Sequence, residues 1–147
     1  MTTKVIRKVE LMQILLVEDS LADVEMTLDA LQDAAVANEV TVIRDGAAAL
    51  EHLRGCTDGV GWPDLVILDL NLPRLSGHEV LASMRADEAM RRIPVAVLTT
   101  SSAESDVLKT YDLGANCFLT KPVDIEEFAH VVQSIGDFWL GLVRLPT

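Results

Sequence analysis

The chain has 147 residues, enough for one domain with a substantial core and too few for two of ordinary size. Half of it is hydrophobic, yet no apolar run approaches the roughly 20 residues that cross a bilayer, so no membrane segment is expected. Its 23 acidic and 12 basic residues leave a formal charge of −11, which repels phosphate backbones and argues against nucleic-acid binding.

Near the N-terminus Lys4, Arg7 and Lys8 are followed by Glu10 and Gln13 rather than by the apolar core of a signal peptide, and a soluble cytoplasmic protein is expected. Residues 12–17, "MQILLV", predict a first strand that ends in Glu18 and Asp19. Leu21, Val24, Leu28 and Leu31 then recur at helical spacing, behind Ser20 and Asp23, which have the form of a capping box. Residues 39–43 predict a second strand and 46–54 a second helix. The connection 55–64, "GCTDGVGWPD", is longer than its neighbours and reads as an exposed loop.

A third strand over 65–69 ends at Asp69, and a third helix is expected over 77–88. A fourth strand over 93–98 leads into "LTTSS", which presents Thr99, and a fourth helix over 103–113 stops at Gly114. The fifth strand, 115–119, runs into "LTKP", with Lys121. A last helix over about 124–142 carries Phe128, Val131, Val132, Ile135 and Trp139 on one side. Five continuous apolar strands alternating with five helices imply an α/β fold, a parallel sheet covered on both faces. Cys56 and Cys117 lack metal or redox spacing, and His52, His78 and His130 are scattered, so neither residue type suggests a metal site.

In open parallel sheets, ligands bind outside the carboxyl ends of the strands. Here those ends carry three carboxylates, a hydroxyl and an ammonium: Glu18, Asp19, Asp69, Thr99 and Lys121. Like charges about 4 Å apart repel by roughly 4 kcal/mol at an effective dielectric near 20. Such a cluster must hold a proton or bind a cation, and hard oxygen donors with sparse protein ligation favour Mg²⁺. Mg²⁺ beside a carboxylate nucleophile, a hydroxyl and a lysine is equipment for phosphoryl transfer.

The segments "ILLVEDS", "PDLVILDLNLPRLSGHEVL", "VAVLTTSS" and "GANCFLTKPVD" resemble the receiver domain of two-component response regulators, across nearly the whole chain. The spacing agrees with that family: fifty residues from Asp19 to Asp69, thirty to Thr99 and twenty-two to Lys121. The resemblance implies a flavodoxin-like, doubly wound five-stranded parallel sheet in the order 2-1-3-4-5. It makes Asp69 the phosphoacceptor and assigns Mg²⁺ to Asp19, Asp69 and the backbone carbonyl of Asn71, with Glu18 acting through water. Thr99 becomes the switch hydroxyl, Phe118 the switch aromatic, and Lys121 the phosphate partner, with a cis bond to Pro122. Phe118 reads equally well as a core-facing strand residue.

More narrowly, the stretch 98–124 and the tail "VVQSIGDFWLGLVRLP" resemble small stand-alone regulators paired with bacterial phytochromes. A single receiver domain over 1–147 is expected, with its core at about 12–142 and no output domain. Its partners would be a sensor histidine kinase, a downstream phosphotransfer or target protein, and a second copy of itself. The dimer surface would be helix 4, strand 5 and helix 5, with Tyr111, Phe118, Phe138 and Trp139 near it. Two alternatives stand beside this reading. A Mg²⁺-dependent aspartyl-phosphate hydrolase normally places a second Asp two residues after the nucleophile, where this chain has Asn71. A pseudo-receiver usually lacks the acceptor, the acidic pair or the lysine, and all are present.

Overall fold

The computed structural model describes residues 11–34, 37–56, 61–100, 104–122 and 124–136. Strands and helices alternate as β1 (Met12–Val17), α1 (Leu21–Gln32), β2 (Asn38–Ile43), α2 (Gly46–Arg54), β3 (Leu65–Leu68), α3 (Gly77–Ala86), β4 (Val95–Thr99), α4 (Glu104–Asp112), β5 (Cys117–Thr120) and α5 (Ile125–Gly136). The strands form one parallel sheet in the order β2-β1-β3-β4-β5. This is the order and class expected from the sequence.

Strand alternation splits the core into two layers. Leu15, Val17, Val66, Leu68, Val95 and Val97 face one side, where Leu50 and Leu53 of α2 and Val80, Leu81 and Met84 of α3 cover them. Ile14, Leu16, Leu65, Ile67, Ala96 and Leu98 face the other, against Val24 and Leu31 of α1 and Phe128, Val132 and Ile135 of α5. The central β3 and β4 are buried along their whole length, while the edge strand β2 alternates with solvent. That is why the central strands read as unbroken apolar runs.

Four departures from the sequence reading have local causes. The third helix stops at Ala86, and the Asp87 carboxylate accepts from the backbone N–H groups of Ala89 and Met90 at 2.8 and 3.1 Å. Those bonds lead the chain into a short 3-10 turn, Met90–Arg92, which buries Met90. In the connection read as exposed, Trp62 is half-buried against the α2–α3 layer, its indole N–H donating to the Cys56 carbonyl at 3.2 Å. The Lys121–Pro122 bond is trans, not cis; the intrinsic preference of an X–Pro bond for trans is only about 0.5–1 kcal/mol, so the surrounding chain decides it. The capping box is half-formed: Ser20 Oγ accepts from the Asp23 N–H at 3.3 Å, but the Asp23 carboxylate is engaged elsewhere. Phe138, Trp139 and the rest of the expected helix to 142 lie outside the described residues.

The glycine after Ser76 governs how closely α3 approaches the end of β3. A Cβ on Gly77 would lie 2.2 Å from the Asp69 carbonyl oxygen and 2.6 Å from Leu70 Cα, both backbone atoms with little freedom to move. The Gly77 N–H meanwhile donates to the Leu70 carbonyl at 3.0 Å. Ser76 caps the same helix through its hydroxyl, and such a cap contributes about 1 kcal/mol. Gly77→Ala is therefore expected to cost toward the upper end of the roughly 1–3 kcal/mol of an overpacked site, and more than Ser76→Ala. Urea midpoints of the two variants check this, and an equal or smaller loss for Gly77→Ala would refute the close approach.

Candidate functional site

The sheet order reverses direction between β1 and β3, and the register there pairs Val17 with Leu68. Continuing that register by one residue sets Glu18 beside Asp69 at the carboxyl edge. Both follow the series that faces α1 and α5, as does Lys121, two residues beyond Leu119. Thr99 closes β4 in the opposite series, after Val95 and Val97.

Lys121 Nζ lies at the centre. It donates to Glu18 Oε1 in a short ion pair, to Asp23 Oδ2 at 2.8 Å and to Asp69 Oδ2 at 3.0 Å. The Lys121, Glu18 and Asp69 side chains are almost wholly buried, while that of Asp23 is 22% exposed at the mouth of the site. The Lys121 backbone N–H donates to the Thr99 carbonyl at 2.7 Å, which ties the start of the β5–α5 connection to β4. The second oxygen of Asp69 accepts from the Asn71 N–H at 3.2 Å, and Asn71 Nδ2 approaches Thr99 Oγ1 at 3.5 Å. The second oxygen of Glu18 accepts from the Ser20 N–H at 3.2 Å.

Of the predicted cluster, Glu18, Asp69, Thr99 and Lys121 come together. Asp19 does not join them: its side chain is 53% exposed and lies 4.0 Å from Arg44, whose guanidinium also donates to the Asp19 carbonyl at 2.9 Å. Phe118 is half-buried against the α2–α3 layer, and its N–H donates to the Tyr111 hydroxyl at 3.1 Å. Asp23 is the residue that the sequence reading gave only a capping role. Helical spacing places it on the face of α1 that carries Thr27 and Ala30, four and seven residues on, both buried. That was the available signal.

The charges are out of balance, with one ammonium facing three carboxylates. Burial pushes the Glu18 carboxyl up to about 7, the hydrogen bond from Lys121 opposing it only in part. For Asp69 burial again works upward, but a hydrogen bond from Glu18, the charge of Lys121 and the Thr99 hydroxyl together hold it below the ordinary carboxylate value. Lys121 is raised despite its burial, through hydrogen bonds to Asp23 and Glu18 and the charge of Asp69. Asp69 is thus kept ionised, and its neighbour Glu18 carries the proton when one is present.

A divalent cation suits the excess negative charge of this donor set, and the donors are the hard oxygens such an ion prefers. The oxygens are nevertheless gathered around Lys121. Among the described residues no three acidic, histidine or cysteine side chains are disposed as a ligand set. A cation held by Glu18, Asp19 and Asp69, as expected from the sequence, would compete with Lys121 for Glu18 and Asp69.

The model of the response regulator receiver domain matches residues 14–133. The chain belongs to that family. It is 44% identical over 135 residues to response regulator Rcp1 of Synechocystis sp., covering 90% of this chain and 92% of that one. Its structure superposes on the phosphorylated cyanobacterial phytochrome response regulator RcpA with a TM-score of 0.88 at 41% identity, covering 94% of this chain and all of the other. The Mn²⁺-bound form of Rcp1 gives 0.86 at 43% identity, with 92% and 99% covered. The chain is accordingly a signalling receiver, and the hydrolase reading falls away. No described helix is long and apolar enough to cross a membrane.

The raised value for Glu18 means that the folded receiver binds a proton more readily than the unfolded chain. Stability from this group is full below the ordinary value of 4.5 and is lost as pH rises through about 7. Asp69 acts in the opposite sense, its contribution lost only as pH falls below the ordinary carboxylate range. With a chelator present, Glu18→Gln is expected to melt above wild type at pH 8 by about 2–4 °C or more, the shift that 1 kcal/mol gives a domain of this size, and the gap should close toward pH 5. Calorimetry across that range checks it; a gap independent of pH would show that Glu18 does not hold the proton.

Proposed function

We propose that this receiver accepts a phosphoryl group on Asp69 from the phosphohistidine of a sensor kinase of the phytochrome class, in a Mg²⁺-dependent reaction. The observation that carries this reading is the Asp69 carboxylate itself. It is ionised and almost buried at the strand-order reversal, with Lys121 on one oxygen and the Asn71 N–H on the other. The kinase class rests on the likeness to Rcp1 and RcpA.

An Asp69 oxygen attacks phosphorus, the donor P–N bond breaks, and its electron pair returns to the imidazole. Lys121 and the Thr99 hydroxyl take phosphoryl oxygens as charge develops on them. Glu18, Asp19, Asp69 and the Asn71 carbonyl would hold Mg²⁺, which when bound supplies charge neutralisation at the transferring group. Thr99 and Phe118 then report the change to the face built from α4, β5 and α5. On that face Leu108 and Tyr111 are exposed, and we assign it to homodimer contact or to a target protein.

Incubation with acetyl phosphate and Mg²⁺ is expected to add one phosphoryl mass to wild type and none to Asp69→Asn. Beryllofluoride should shift the sedimentation of wild type, and Tyr111→Ala should diminish the shift. Intact-mass spectrometry and sedimentation velocity read both outcomes. Equal labelling of Asp69→Asn would move the acceptor elsewhere, and sedimentation unchanged by beryllofluoride would remove assembly as the readout.

A further inference from the structure

The third carboxylate on Lys121 has no role in the reading above. Asp23 comes from α1, outside the strand ends that supply the other charged groups, and its 2.8 Å bond to the ammonium is shorter than the 3.0 Å bond from Asp69. Nothing in the local helix requires this side chain. The cap at the start of α1 uses only the Asp23 backbone N–H, and the Thr27 hydroxyl uses only its carbonyl, at 2.6 Å.

A doubly charged ion placed among Glu18, Asp19 and Asp69 would sit beside a lysine ammonium. Like charges at such close range repel strongly even at an intermediate effective dielectric, and a divalent ion doubles the repulsion. Lys121 must withdraw, yet a buried ammonium without a counter-ion is costly. Asp23 already holds one of its protons, at the mouth of the site and away from the Glu18–Asp69 pair, so withdrawal breaks two bonds without leaving the charge unpaired.

We propose that Asp23 is a positioning residue that keeps Lys121 as Glu18 and Asp69 release it, so that a divalent cation can enter. The inference rests on the cation reading above. Asp23 is not itself a ligand and acts only through the lysine, which separates it from a general effect of negative charge.

A double-mutant cycle in Mn²⁺ affinity tests this, with wild type, Asp23→Asn, Lys121→Met and the double variant titrated by calorimetry at constant pH. Asp23→Asn is expected to weaken binding by about five-fold or more in the presence of Lys121, and by less than about two-fold in the Lys121→Met background, which has no ammonium to relocate. If Lys121→Met fails to fold by circular dichroism, Lys121→Gln takes its place. Wild-type affinity in Asp23→Asn would overturn the proposal. So would an equal loss in both backgrounds, which would make Asp23 a ligand or a bystander charge. Wild type that binds no Mn²⁺ would instead overturn the cation reading, and this proposal with it.

Discussion

The arrangement depends on one buried ammonium. Lys121 is shared by carboxylates that would otherwise repel one another, and its partners arrive from β1, α1 and β3. Burying an ionised aspartate at the end of a strand would be prohibitive alone. Around Lys121 it becomes tolerable, and every buried side-chain polar atom among the described residues has a partner. One ammonium still faces three carboxylates. Functional sites commonly carry such a conflict.

The sheet makes this convergence possible in a simple way. Parallel strands in the order β2-β1-β3-β4-β5 bring every strand's carboxyl end to one edge, and the reversal between β1 and β3 leaves room there. Side-chain parity then sorts the groups. Glu18, Asp69 and Lys121 continue the series that faces α1 and α5, whereas Thr99 continues the series of Val95 and Val97. Asn71, whose N–H donates to Asp69 and whose side-chain amide approaches the Thr99 hydroxyl at 3.5 Å, therefore links the two series.

Much of this was legible from the sequence because the signals were local. The apolar runs marked all five strands, and the first was placed to the residue. Asp69 stood out because its carboxylate follows four buried residues, and Lys121 because a lysine ends an apolar strand. Helix ends were less legible: Asp87 begins a new turn with its own side chain, and no periodicity announces that. Trp62 was read as part of an exposed loop because glycines surround it, although it seals the edge of a hydrophobic layer.

Asp19 and Asp23 show the boundary between the two kinds of information. Both are acidic residues beside the first strand's end, and spacing alone favoured Asp19 for the cluster and Asp23 for the cap. In the structure Arg44 at the end of β2 takes Asp19, and Lys121, 98 residues away in the chain, takes the Asp23 carboxylate, while the Asp23 N–H still serves the cap. The sequence by itself determined which segments are strands and helices, and which strand ends carry charge, because those depend on near-neighbour periodicity. Which carboxylate meets the ammonium was decided only by the tertiary structure, because such a choice rests on competition among charges that only folding brings together.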